Sequence, residues 1–230
     1  MTQNLLIFGA TGALGGAIHQ KFIDLKWNVF TGIRSPSTLP NCFPLPITQE
    51  KLPDELKGVE FDAVIFAQGL NANGSVLTAL RTELLELFEA NVLFISDTTA
   101  ALMHHNSIKA GGRIVILSSL WEQFTRQDKL AYTVSKAAVG GLVRSMATDL
   151  GRAKNILVNA ILPGIIETLM SRQFLSPEQM VGVENATPGG KLATPIDVAN
   201  AAFLFASPDN TAISGQSIFV DLSFSTTRVI

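Results

Sequence analysis

Residues 5–15 read Leu5-Leu6-Ile7-Phe8-Gly9-Ala10-Thr11-Gly12-Ala13-Leu14-Gly15. Four apolar residues in succession, with no polar alternation, read as a strand covered on both faces. The glycines that follow read as a turn over residues 9–16, and a helical pattern runs over residues 17–25. A strand, a glycine-rich turn and a helix in that order make a place for a phosphate. Glycine lets the anion approach backbone N–H groups, and the helix N-terminus favours negative charge. Glycines also serve plain strand-to-helix turns, and the turn alone leaves that alternative open.

The same alternation continues outward along the chain. Residues 28–32 read as a strand, 35–53 as an irregular proline-rich stretch with a brief strand at 43–45, and 63–67 as a buried strand. Residues 77–105 carry helical periodicity in two pieces, 113–118 read as a strand, 131–151 as a helix and 157–162 as a strand. Thr194-Pro195 is a helix start signal for residues 196–206, and residues 217–220 read as a last strand. Repeated β-then-α order with strands apolar on both faces predicts an α/β fold. Its sheet is doubly wound and mostly parallel, of Rossmann type, with helices on both faces and one domain over residues 1–230. Residues 165–190 lie beyond a strand's carboxyl end with no clear strand, and are expected to form a substrate lid.

Composition excludes several classes of function. The 230 residues are 47% apolar and 16% charged with a net charge of −2, which is ample for a core and offers no electrostatic attraction for nucleic acid or an anionic membrane. No apolar run is long enough to span a bilayer. The three histidines, His19, His104 and His105, supply no spaced metal-ligating pair, so no metal is expected. The single cysteine, Cys42, forms no intramolecular disulfide, and with no basic leader before the first strand a cytoplasmic location is expected.

Tyr132 is the only tyrosine, and Lys136 follows it by one helical turn. Residues i and i+4 share a helix face, and a cation near a phenol favours phenolate. The pair therefore reads as a tuned proton donor, or else as a half-buried tyrosine beside a surface lysine. At the end of the second strand Thr31-Gly32-Ile33-Arg34-Ser35 carries no carboxylate. An acid there favours NAD through the ribose hydroxyls, whereas an arginine accommodates the 2′-phosphate of NADP.

With the glycine turn, Ser119, Tyr132 and Lys136 in view, the chain resembles the short-chain dehydrogenase/reductase family over nearly its whole length. Ser118-Ser119 ends a strand thirteen residues before Tyr132, Tyr132 to Lys136 fits Tyr-x-x-x-Lys, and Asn159-Ala160-Ile161-Leu162-Pro163-Gly164 with Glu167-Thr168 matches the family's Pro-Gly turn and threonine. Thr194-Pro195-Ile196-Asp197-Val198-Ala199 and Ser214-Gly215-Gln216 match its C-terminal third. The sequence departs from the pattern at Ala13, Pro46, Phe66-Ala67-Gln68-Gly69 and Leu222-Ser223, and the spacing of Gly9, Gly12 and Gly15 is that of longer family members.

The resemblance implies an NADPH-dependent ketoreductase in which Asn91, Ser119, Tyr132 and Lys136 are catalytic. It implies NADP(H) contacts, with NAD(H) the weaker choice, from Gly9, Thr11, Gly12, Leu14, Gly15, Arg34, Ser35, Ile47, Ala67, Gln68, Gly69, Tyr132, Lys136, Pro163, Gly164, Ile166 and Thr168. The substrate is a small carbonyl or alcohol compound, with pocket walls from Leu120, Trp121 and Phe124. The thin helix face Ala137, Ala138, Gly140 and Gly141, together with the resemblance, implies a homodimer or homotetramer. Two alternatives share the fold: a dinucleotide sensor without catalysis, and an epimerase or dehydratase.

Overall fold

The computed structural model describes residues 2–227 except 167, 169, 170, 172 and 174. Those five positions of the expected lid, including Glu167 of the Pro-Gly motif, lie outside the described residues. The strands are β1 (Asn4–Phe8), β2 (Asn28–Ile33), β3 (Cys42–Pro44), β4 (Phe61–Phe66), β5 (Ile108–Leu117), β6 (Leu157–Pro163) and β7 (Ser217–Val220). They form one sheet in the order β3-β2-β1-β4-β5-β6-β7, with every pairing parallel. The chain winds outward from β1 in one direction and then from β4 in the other. This is the doubly wound arrangement, and its switch point lies between the carboxyl ends of β1 and β4.

The helices are α1 (Ala13–Asp24), α2 (Arg81–Phe88), α3 (Phe94–His104), α4 (Leu130–Lys154), α5 (Pro177–Ala186) and α6 (Pro195–Ala206). Strand alternation explains why both sheet faces need cover. Leu6 and Phe8 of β1 join Val64 and Phe66 of β4 in one core, beneath α3 and α4. Leu5, Ile7, Ala63 and Ile65 point the other way into a second core that α1 and α6 close. Phe8 stacks on Phe66 at 5.0 Å, and Phe94 meets Phe8 edge-on at 5.5 Å. On the opposite face Phe22 packs edge-on against Trp27 at 4.9 Å and Phe203 at 5.6 Å. Full burial of one such side chain stabilises by about 1.5–3 kcal/mol, and neither face can be left to water.

Several boundaries differ from the sequence reading. Helix α1 begins at Ala13, since the glycine turn ends one residue earlier at its N-cap, Gly12. Strand β5 begins at Ile108 because a bulge absorbs Lys109 to Gly112. Ile108 pairs with Phe61 and Arg113 with Ala63, while Gly111 takes φ +73°. The 81–104 helix is continuous but changes to π-type winding over Glu89–Leu93. Helix α5 lies inside the segment read as a loop. Its start was signalled by Ser176-Pro177-Glu178-Gln179, in which the Ser176 hydroxyl accepts from Gln179 N and the Gln179 side chain accepts from Ser176 N. The same device starts α6 through Thr194 and Asp197. Among the described residues no helix is long and apolar enough to cross a membrane.

Candidate active site

Two clefts open along the carboxyl edge of the sheet. The first, an open space of about 1030 Å³, is bordered by Gly9, Thr11, Arg34, Ser35, Gln68 and Gly69 among others. Gly9 has φ +82°, and a Cβ there would lie 2.6 Å from Gln68 N, so the first turn can rest directly against the end of β4. Gly15 lets α1 descend onto that turn, since its Cβ would lie 2.1 Å from Gly9 O. Gly12 differs. The nearest atom to its Cβ would be Gly9 O at 3.5 Å, an ordinary contact, so nothing inside the chain demands glycine there.

The space beside Gly12 is open to a ligand approaching from outside. Gly12 N-caps α1 with no side-chain cap, and the first turn carries no acid. Both amide atoms of Gln68 are buried without hydrogen-bond partners in this cleft, as is the Ser118 hydroxyl in the second. No carboxylate is among the described residues bordering the first cleft, whereas Arg34 and Ser35 are. These features fit a dinucleotide with its pyrophosphate over the glycine turn. Ala67 packs at the end of β4. The side chain of Ile47 is not part of this cleft's wall. It is 3% exposed in the core with Phe43 and Leu56, because an apolar group there gains more from burial than from the cleft wall.

The second cleft, about 700 Å³, brings together Leu14, Ser119, Trp121, Tyr132, Pro163, Gly164, Ile166 and Thr168. Ser119 ends the run from β5 and caps the one-turn helix Leu120–Glu122, its hydroxyl accepting from Trp121 N at 3.3 Å. Tyr132 and Lys136 lie one turn apart on α4 with the Lys136 Nζ 5.8 Å from the tyrosine ring centroid. Lys136 is buried and donates to Leu117 O at 3.1 Å. Asn91 lies in the π-type turn, fully buried. Its Oδ1 accepts from Leu70 N at 2.8 Å, and its Nδ2 donates to Leu70 O and to Ser135 Oγ, both at 3.0 Å. Ser135 donates in turn to Tyr132 O at 2.9 Å. Asn91 thus ties the loop after β4 to the helix that carries Tyr132.

Burial dominates the electrostatics of the tyrosine and lysine. Burial raises the Tyr132 pKa to about 12, while the Ser119 hydroxyl hydrogen-bonded to it pulls the other way. Burial outweighs that hydrogen bond, so the net shift is upward. Burial also lowers Lys136 to about 8, with Glu122 opposing. Burial thus favours the uncharged form of both groups, the phenol and the amine.

Comparison with known proteins bears on this geometry. The family model described as enoyl-(acyl carrier protein) reductase matches residues 54–224. The chain belongs to the short-chain dehydrogenase/reductase family. It is an oxidoreductase fold of the kind that uses NAD(P). This short-chain dehydrogenase/reductase is 28% identical over 168 residues to 3-oxoacyl-[acyl-carrier-protein] reductase FabG of Vibrio cholerae, covering 73% of the chain and 67% of the relative. It is 38% identical over 136 residues to 7alpha-hydroxysteroid dehydrogenase of Escherichia coli, covering 58% of the chain and 52% of that relative. The alignment therefore spans about half of the dehydrogenase's length. Among solved structures, ElxO with NADP bound superposes with a TM-score of 0.83 at 23% identity, over 99% of the chain and all (100%) of ElxO. A short chain dehydrogenase family protein from Francisella tularensis subsp. tularensis SCHU S4 gives 0.84 at 22%, over 99% of the chain and 100% of that protein.

Within this family member the expected pocket walls divide. Trp121 borders the second cleft, but Leu120 is 2% exposed and packs inward. Phe124, still 42% exposed, lies instead against Phe219 with ring centroids 5.7 Å apart. Asn71, Arg126 and Lys129 border the cleft and were not singled out from sequence. Lys129 is buried, donates to Asn71 Oδ1 at 2.8 Å and to Ala72 O at 3.1 Å, and lies 5.4 Å from the Tyr132 ring centroid. Its position just before the first turn of α4 was the available signal. Among the described residues no group of three or more His, Cys, Asp or Glu side chains is placed to hold a metal ion.

Proposed function

We propose that the chain is an NADPH-dependent carbonyl reductase, reversible as an alcohol dehydrogenase, acting on a small carbonyl or alcohol substrate. The observation that carries this reading is the pair Ser119 and Tyr132 on the wall of the second cleft, with the buried Lys136 ammonium behind the tyrosine, 5.8 Å from its ring centroid. Bound nicotinamide supplies the hydride. Tyr132, held protonated by burial, donates a proton to the carbonyl oxygen as charge develops there. Ser119 donates a hydrogen bond to the same oxygen. Lys136 favours the phenolate that remains and returns a proton to it. Asn91 positions Tyr132 through Ser135 and shapes the cleft through Leu70. NADPH over NADH is supported by Arg34 and Ser35 and by Ile33 where an acid would select NADH.

Tyr132→Phe is the decisive variant. It should bind NADPH with near-normal affinity by fluorescence titration and reduce ketones at least about 10²-fold more slowly. Near-normal turnover would remove Tyr132 from the chemistry. Ile33→Asp should shift preference toward NADH, and wild-type protein that binds NADH as tightly as NADPH would sink the NADPH assignment. The lid reading, supported by the absence of buried residues along α5, expects hydrogen-exchange protection over residues 165–190 to rise with NADPH. A dimer or tetramer is supported by Ala137 and Gly141, which lie exposed on α4. Light scattering that returns a single chain mass would exclude it.

A further inference from the structure

Glu122 ends the one-turn helix between Ser119 and Tyr132. Its side chain reaches back across α4 at Gly140. A Cβ on Gly140 would lie 2.6 Å from Glu122 Oε1 and 2.9 Å from its Cδ. The carboxylate therefore fills the space that an alanine methyl would take. Gly140 follows Lys136 by four residues, which places the carboxylate on the lysine's helix face, one turn along. Glu122 Oε2 is buried with no hydrogen-bond partner. A carboxylate so placed is costly unless a positive charge is near.

We propose that Glu122 is a positioning residue: its carboxylate, seated in the gap at Gly140, is the fixed counter-charge that holds the buried Lys136 ammonium beside Tyr132. The proposal rests on the carbonyl-reductase reading, in which that ammonium stabilises the phenolate. It also gives Gly140 a task inside the subunit, separate from the exposed positions Ala137 and Gly141. Burial lowers the Lys136 pKa, and Glu122 is the group that opposes this. The other titratable groups around the lysine are Tyr132 on the same helix, Lys129 across the tyrosine ring and Arg126 acting on Lys129. Strand β6 carries none. On β5, Lys109 pairs with Asp62, and Arg113 is held by the carbonyls of Gly111, Pro208 and Asn210 at the opposite end of the sheet. Glu89 in the π-type turn is exposed.

The test needs no substrate. Protein labelled with ¹³C at lysine is titrated by NMR, with the Lys136 and Lys129 signals assigned through Lys136→Arg and Lys129→Arg. Lys136 should titrate near pH 8 in the wild type. Its midpoint should fall by about half a pH unit or more in Glu122→Gln, and also in Gly140→Ala, where the carboxylate is kept but displaced. In NADPH-dependent reduction, Glu122→Gln should then lose about two- to threefold activity relative to wild type at pH 8.5 and little below pH 6.5. A Lys136 midpoint unmoved in Glu122→Gln overturns the proposal, whatever the activity. Active Tyr132→Phe, by contrast, overturns the reductase reading and leaves the NMR result standing on its own.

Discussion

Gly12 and Gly15 stand three residues apart in the same turn, yet alanine at the two positions should do opposite things. At Gly15 the added Cβ would sit 2.1 Å from Gly9 O and 2.7 Å from Gly9 C, about 1.3 Å short of the 3.4 Å at which ordinary contact begins. Both neighbours are backbone, so relief requires α1 to move away from β1. Overpacking of this kind costs about 1–3 kcal/mol, and a backbone clash belongs at the top of that range. For a chain of this size 3 kcal/mol lowers the melting temperature by roughly 6–12 °C. At Gly12 the nearest atom would be 3.5 Å away, so Gly12→Ala should cost less than about 1 kcal/mol and keep the melting temperature within a few degrees. The methyl would nevertheless stand where a pyrophosphate must approach, and a tenfold loss of NADPH affinity corresponds to about 1.4 kcal/mol. Thermal unfolding by circular dichroism, with NADPH titration followed by tryptophan fluorescence, separates the two effects. Gly12→Ala with wild-type affinity would mean that no phosphate lies over this turn. Gly15→Ala with wild-type stability would mean that the packing of α1 on the turn is not as described.

Asn91→Ala removes three hydrogen bonds and leaves Leu70 N and O without their buried partner; urea unfolding should show a loss of about 2–4 kcal/mol, with faster amide exchange at Leu70. Stability should also depend on alkaline pH in two stages. Lys129 and Lys136 titrate near 8 when folded and near 10.5 when unfolded, so the unfolded chain holds more protons between those values and stability rises with pH, by at most about 3 kcal/mol per lysine. Tyr132 titrates near 12 folded and 10 unfolded, so it opposes this gain above about pH 10 and outweighs it once the unfolded lysines also lose their protons. Urea unfolding from pH 7.5 to 11.5 should therefore show a maximum between about pH 10.5 and 11, and the rise should shrink in Lys136→Met. In the substrate cleft, Trp121→Ala should alter kcat/KM by about tenfold or more and Phe124→Ala by less than about threefold, since only the tryptophan borders the cleft; steady-state kinetics on one ketone decides this.

The glycine turn and the sheet were legible because their causes are local. A both-face apolar run is buried wherever it occurs, and Gly9 at positive φ marks its own turn. The bulge in β5 was not legible, because Gly111-Gly112 reads as an interruption until Phe61 is seen pairing with Ile108. Helix α5 was legible in its capping residues but was obscured by the lack of an apolar stripe, for it buries no side chain. At the site, the Tyr132–Lys136 spacing and the family resemblance pointed to Ser119, Tyr132 and Lys136, which the fold brings close together. The direction of the tyrosine's pKa depended on how much protein covers the ring, a tertiary quantity that i, i+4 spacing does not contain. The same holds for Glu122, whose partner Gly140 lies eighteen residues away, and for Phe124, whose neighbour Phe219 comes from the last strand.

Because every strand runs the same way, the molecule has a working edge and an idle one. Residues 9–12, 67–71, 118–119 and 164–166 all leave strands at their carboxyl ends, whereas residues 25–27, 57–60, 105–107 and 155–156 enter strands at the far edge. For an engineer the two edges offer different freedoms. Gly58, at φ +74° with nothing within 4 Å of where its Cβ would be, lies in an idle-edge loop. A reporter peptide or a new pair of chain ends belongs there, as far from the chemistry as the sheet allows. Randomised libraries aimed at new substrates belong on the working edge at cleft-lining positions such as Trp121 and Arg126, with Leu120 and Glu122 left in place.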